Sequence, residues 1–311
     1  MPIDYEKLLN FKIPEVEQQL IRRDTMLYAL GVGLGSDPYD ENQLKFAYEE
    51  KLVECKVLER GDTRIEYYVQ GTGPLLVLLP SLGRGAEDFD DIRPRLAHAC
   101  RVIQPQPRGI GGSSGPMTGV TLHDYAQDIA SVIESEGGGP AVIGGHAFGN
   151  FVARTTATDR PDLVRGVALL GATHVWPVPP DIRDSIMKSS DLSLPQDERI
   201  KHLKHAFFAP ASDPAVWLGG WHPQVKKAQR IATDATPQLE WWQSGTAVIL
   251  DVQPENDVMI PPESRSRYRD ELGERVSIVR IPDAGHALLP EQPEALAQAL
   301  LRFVEHLFPR L

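Results

Sequence analysis

Cysteine is nearly absent from this 311-residue chain, with Cys55 and Cys100 the only two. Two thiols cannot build a disulfide framework, and a reducing, cytoplasmic setting is the expectation that follows. Positive charge is also in short supply. Lys and Arg total 32 against 43 Asp and Glu, giving a formal net charge of −11 and an isoelectric point near 5.3. Repulsion of that size argues against a nucleic-acid or membrane-surface partner unless a basic patch is concentrated locally. The densest basic runs, Arg22-Arg23 and Lys226-Lys227, are short. Long apolar runs are missing near the start: MLYALGVGLG at 26–35 is about half a membrane span. The opening MPIDYEKLLN carries acidic residues where an export signal is basic and then apolar. The nine histidines have neither paired spacing nor a cysteine partner, so no metal is expected. The glycines at 109, 111 and 112 lack the strand-then-helix setting of a dinucleotide loop, so no cofactor is expected either. The expected partner is a small-molecule substrate, and none of these features speaks to oligomeric state.

What is present is an ordinary globular composition, 41% hydrophobic and 24% charged, enough to bury a core. From about residue 54, strand-like and helix-like segments alternate, the pattern of a mostly parallel sheet covered by helices, an α/β fold. CKVLERGDTRIEYYVQGTG (55–73) reads as an antiparallel pair turning at Gly61-Asp62, and LLVLLP (75–80) as a central strand buried on both faces. A helix is expected over 86–99, a strand over 101–106, and a helix over 121–135 with Thr121 as N-cap. Strands follow at 139–145, 163–173, 247–253 and 276–282, with helices from 149 and from 293. Between 174 and 243 prolines and tryptophans replace this rhythm among helical stretches, which reads as a helical lid inserted between two strands. The expected organisation is a core of 54–173 and 244–311, the lid at 174–243, and a helical N-terminal extension over 1–53.

The strand ending at Gly145 runs through His146, Ala147, Phe148 and Gly149 directly into a helix. That is the setting of a nucleophile elbow, commonly G-x-S-x-G, in which a sharp turn lifts the central side chain over the end of a sheet. The flanking glycines are needed because neighbouring backbone passes close by. Here the central residue is alanine.

With that elbow, two later loops resemble the α/β-hydrolase family over about residues 55–311. DVQPENDVMIPPES (251–264) is similar to the loop that carries the family's acid and places it at Asp257, with Glu255 and Asp251 as nearby alternatives. IPDAGHALLPEQPE (281–294) is similar to the histidine loop and places the base at His286. In such a pair the carboxylate fixes the imidazole tautomer and leaves the second ring nitrogen free to act as a base. LLPSLGRG (78–85) resembles the oxyanion loop, with Pro80-Ser81 where His-Gly is usual. The resemblance implies that the N–H groups of Leu82 and Phe148 face a developing oxyanion. PQPRGIGGSSGP (105–116) resembles a further family loop, with Gln106 in a structural position where Asp is common. Separately, MPIDYEKLLN…RDTMLYALGVGLG…QLKFAYE resembles the N-terminal stretch of MaoC-like enoyl-CoA hydratases, without that family's active-site region.

Alanine has no atom that attacks a carbonyl, and losing a triad nucleophile costs about 10⁶-fold in turnover. Three readings are therefore open: an engineered replacement of an original nucleophile, natural chemistry by His286 and Asp257 without a covalent step, and a non-catalytic pseudo-hydrolase that binds a small molecule. Ser81 and His146 are the substitute nucleophiles on paper. The aromatic lid implies an apolar pocket for a medium-sized hydrophobic ester, lactone, amide or C–C bond substrate. Ser81, His146, Trp176, Trp217 and Trp221 are the expected substrate contacts, and Arg84 reads as a surface arginine that could also meet a substrate carboxylate.

Overall fold

Strand and helix alternate as the hydrophobic pattern requires. The computed structural model describes residues 53–172 and 178–309, so the N-terminal extension up to residue 52, its resemblance to hydratases and Trp176 lie outside the described residues. Eight strands form one sheet: β1 (Glu54–Arg60), β2 (Thr63–Gln70), β3 (Leu75–Leu79), β4 (Arg101–Pro105), β5 (Ala141–His146), β6 (Val164–Leu170), β7 (Val248–Pro254) and β8 (Val276–Ile281). Their spatial order is β1-β2-β4-β3-β5-β6-β7-β8. The first pair is an antiparallel hairpin turning at Gly61, whose φ of +62° suits glycine. β2 meets β4 antiparallel, and every later pairing is parallel.

β3 shows why the strands read as unbroken apolar runs. Leu76 and Leu78 join one buried cluster while Leu75, Val77 and Leu79 join another, because successive side chains point to opposite faces. One face is covered by α2 (Leu122–Ser135) and α3 (Phe148–Asp159). The other is covered by α1 (Arg93–Ala97) and α7 (Pro293–Leu307). Thr121 caps α2, its backbone N–H donating to the Asp124 carboxylate at 2.8 Å. The single helix expected over 86–99 is instead a 3₁₀ turn, Ala86–Phe89, and the short α1. Pro94 has no N–H to extend the first segment and fits only in the opening turn of the second.

Between β6 and β7 the described residues form α4 (Pro180–Ser189), α5 (Gln196–Phe207) and α6 (Pro223–Ala235). This insertion has its own small core of Ile182, Leu203, Phe207, Trp217 and Trp221, which also takes in Met259 and Ala287 from the loops after β7 and β8. No helix among the described residues is long and apolar enough to cross a membrane.

Topology decides where a site can form. The chain steps outward from β3 to β4, then back past β3 to β5, so the adjacent carboxyl ends of β3 and β5 diverge into different loops. Such a switch point leaves a crevice beyond the strand ends. Leu79 pairs with Gly145 there, which sets the Ser81–Leu82 loop beside Ala147.

Candidate active site

Ala147 is the single residue between β5 and α3, with φ +46° and ψ −107°. That conformation costs a side-chain-bearing residue on the order of 1–3 kcal/mol and persists only where its surroundings over-determine it. They do here. The Ala147 N–H donates to the Leu170 carbonyl at 3.1 Å, and its own carbonyl accepts from the Asn150 backbone at 3.2 Å and from the Asn150 side chain. The two glycines are required by contact: a Cβ on Gly145 would lie 2.3 Å from the Gly149 backbone, and one on Gly149 would lie 2.3 Å from the Leu79 carbonyl oxygen.

The loops after β7 and β8 converge on this turn. The imidazole Nδ1 of His286 lies 2.8 Å from Oδ2 of Asp257. The other carboxylate oxygen of Asp257 accepts the Met259 N–H at 2.8 Å, which fixes its plane. Both side chains are buried. The nearby acids are elsewhere: Glu255 is exposed, and Asp251 is turned into the core, where Gln253 donates to it at 2.6 Å. Burial pushes the Asp251 carboxyl up to about 7. The histidine loop is held by Glu291, which accepts the N–H groups of Gly285 and Ala209 at 2.7 Å each. The Ala287 N–H donates to the Phe207 carbonyl at 2.8 Å.

A cavity of about 240 Å³ opens over the elbow. Its wall includes Ala147, His286, Ser81, Leu82 and Phe148 from the sheet side. Val178, Ile186, Phe207, Trp221, Lys226, Arg230, Thr233 and Asp234 come from the insertion, and Phe151 and Met259 complete it. Leu82 and Phe148 therefore border the same space as Ala147 and His286. The N–H of Phe148, first in its helix, has no intrahelical acceptor. α6 is bound to the Ser81–Gly85 loop directly: Gly83 donates to the Gln229 side chain at 2.7 Å and accepts from the His222 N–H at 2.9 Å.

Two expected contacts, His146 and Trp217, are placed differently, and so is Arg84. His146 is fully buried and outside the cavity wall, because the elbow turns its side chain back under the histidine loop. There its Nε2–H donates to the His286 carbonyl at 2.8 Å. Burial first, and then repulsion from His286, hold its basicity well below the usual histidine range, so it stays neutral. Trp217 packs behind the wall, with ring centroids 5.6 Å from Phe207 and 6.1 Å from Trp221. Arg84 is not on the surface. It is buried, forked onto Asp88 at 2.6 and 2.5 Å, and sandwiched against Trp217 and Trp221 at 4.5 and 4.8 Å. Its charge is already spent on a carboxylate and two rings. Gln106 does take a structural position, accepting the Ala86 N–H at 2.9 Å. Sequence reading missed the α6 residues Lys226 and Arg230. Their spacing of four placed them on one helical face, but nothing local said which way that face turned.

The site can be compared with known proteins. Residues 76–299 match the Alpha/beta hydrolase family. The chain is 26% identical over 259 residues to the 2-(acetamidomethylene)succinate hydrolase of Mesorhizobium japonicum, covering 76% of this chain and 90% of that one. It is 34% identical over 107 residues to a soluble epoxide hydrolase of a Corynebacterium species, covering 34% of this chain and 37% of that one. A solved E-2-(acetamidomethylene)succinate hydrolase superposes with a TM-score of 0.65 at 23% identity, covering 82% of this chain and all of that one. The family match spans the parallel strands, the elbow and both loops that converge on it, and the chain belongs to the α/β-hydrolase family.

Proposed function

We propose that this protein is a hydrolase in which His286 and Asp257 activate a water directly, with no covalent intermediate. The observation that carries the reading is the buried imidazole–carboxylate contact of 2.8 Å, on a cavity whose floor is an alanine still held in the strained elbow. A site kept only as a relic has no reason to retain strain of about 1–3 kcal/mol.

In the step this arrangement supports, Nε2 of His286 takes a proton from water as the water oxygen bonds to the substrate carbonyl carbon. Asp257 stabilises the imidazolium through Nδ1. The N–H groups of Leu82 and Phe148 stabilise the tetrahedral oxyanion. As the intermediate collapses, the bond to the leaving group breaks and the imidazolium returns its proton to that group. The Cβ of Ala147 leaves the region above the elbow to the water and the carbonyl. The insertion between β6 and β7 acts as the lid, with Phe207 and Trp221 as its apolar contacts and Ser81 at the oxyanion end. A cavity of about 240 Å³ is smaller than the roughly 300–1,000 Å³ of drug-sized sites, which favours a compact ester, lactone or amide. The Mesorhizobium relative, a hydrolase by its description, supports this class of reaction. We place the activity in the cytoplasm on the cysteine usage, both thiols being free.

The test is steady-state and rapid-mixing kinetics on p-nitrophenyl acetate and butyrate. Linear product release without a burst is expected, and His286→Ala should remove it. A burst in the unmodified chain, or turnover indifferent to His286→Ala, would overturn the reading.

A further inference from the structure

Lys226 is 7% exposed and lines the cavity that holds Ala147 and His286. Its ammonium donates to two neutral acceptors, the Ile186 carbonyl at 2.9 Å and the Ser190 hydroxyl at 2.6 Å. It forms no ion pair with a carboxylate among the described residues. An ammonium carries three donors, and beyond these two acceptors Lys226 Nζ meets, among the described residues, the Trp221 ring 5.6 Å from its centroid and no anion. A buried charge is normally paired, because desolvation is costly and is offset only by an opposite charge at close range. The other charged side chains of this wall stand one and two turns along the same helix face: Arg230, which is exposed, and Asp234, also exposed. A surface groove of about 510 Å³ shares Lys226, Arg230 and Asp234 with the cavity, so this face of α6 runs from solvent to the site. In a chain of net charge −11, two cations placed in sequence along one entry face are a local exception.

We propose that Lys226 is the anchor for a substrate carboxylate, with Arg230 meeting that anion in the entry groove, so that the site takes compact carboxylate-bearing substrates with the scissile carbonyl over Ala147. The proposal rests on the hydrolytic reading for the position of the scissile bond, but the anion site itself does not need turnover. Burial and the neighbouring Arg230 push the Lys226 amine down to about 8. A bound carboxylate acts in the opposite direction and favours the protonated form. The titratable and charged groups around Lys226 are Lys227, Arg230 and Asp234 on its own helix, Lys188 and Asp191 across the groove, and His286 across the cavity. Affinity for an anion therefore declines as pH rises through about 8, where Lys226 loses its charge.

The test is calorimetric titration of the full chain with succinate and with succinamide, its neutral isostere. Succinate should bind at least tenfold more tightly than succinamide at pH 7, and the preference should shrink by pH 9. Lys226→Met should remove the preference at pH 7, Lys226→Arg should keep most of it, and His286→Ala should leave it intact. The last arm separates this site from the hydrolytic reading, since loss of turnover with retained succinate binding sinks only the latter. Equal binding of the two ligands, or binding of neither, by the unmodified chain would overturn the anion site without any variant. A preference unchanged in Lys226→Met, or lost equally in the Met and Arg variants, would show Lys226 to be only a brace between α6 and α4.

Discussion

Ala147→Ser asks whether the elbow is poised for the chemistry its family runs. The substitution adds one oxygen to a Cβ that already faces a cavity of about 240 Å³, so no backbone needs to move. The turn at φ +46° is held by the Leu170 and Asn150 hydrogen bonds and by the tight passage of Gly145 and Gly149, none of which involves the Cβ. The base needs no rearrangement either, because Asp257 occupies Nδ1 of His286 and leaves Nε2 for the new hydroxyl. The gain is bounded on both sides. Removing the nucleophile of an intact triad costs about 10⁶-fold, roughly 8 kcal/mol of barrier, which sets the ceiling. A positioned general base alone supplies about 10²–10⁴, which sets the floor at about 10². The assay is p-nitrophenyl acetate hydrolysis followed from milliseconds, where acyl-enzyme formation appears as a burst equal to the protein concentration. Asp257→Asn on the serine background should lose up to about 10⁴ of the gain, because the wrong tautomer is then favoured. If Ala147→Ser gives neither a burst nor a rate above the unmodified chain, the His286–Asp257 pair is not aligned with the elbow, and the hydrolytic mechanism fails with it.

Two further outcomes follow from packing and from burial. Gly149→Ala, ordinarily stabilising within a helix by up to about 1 kcal/mol, should here destabilise by about 3 kcal/mol, because the new methyl would lie 2.3 Å from the Leu79 carbonyl oxygen. For a domain of this size that is a loss of roughly 6–12 °C in Tm, and an unchanged Tm would refute the tight elbow. His146 is held neutral in the fold, whereas the unfolded chain takes up a proton at about 6.5. Its contribution is therefore complete above that pH and is lost, at up to about 1.4 kcal/mol per pH unit, as pH falls below it. His146→Asn should flatten the decline in stability between pH 6.5 and 5 by about one proton, read from denaturant midpoints across pH, and an unaltered slope would show that His146 is not buried neutral.

The features legible in the sequence are those in which a short stretch dictates its own backbone. Five residues around Ala147 specified a strand-to-helix turn because only glycine fits at Gly145 and Gly149, and the elbow stands where that pattern put it. Unbroken apolar runs specified two-sided burial, as β3 shows. The segments around Asp257 and His286 carried their own loop patterns, and the two side chains meet although 29 residues separate them. Elsewhere, local pattern and tertiary packing parted. Pro94 split one expected helix into a 3₁₀ turn and a short α-helix. His146 and Arg84 were legible as polar residues beside the site, but their directions were not: one turns to the His286 carbonyl, the other closes on Asp88 between two tryptophans. In the sequence Lys226 is only part of a short basic run, and in the fold it is buried in the cavity wall. Sequence pattern fixes period and turn chemistry, which are properties of neighbours along the chain. Which face of α6 meets the elbow depends on how an insertion of helices settles onto loops from β3, β7 and β8, and that choice is made by contacts between residues more than a hundred positions apart, such as Gly83 with Gln229.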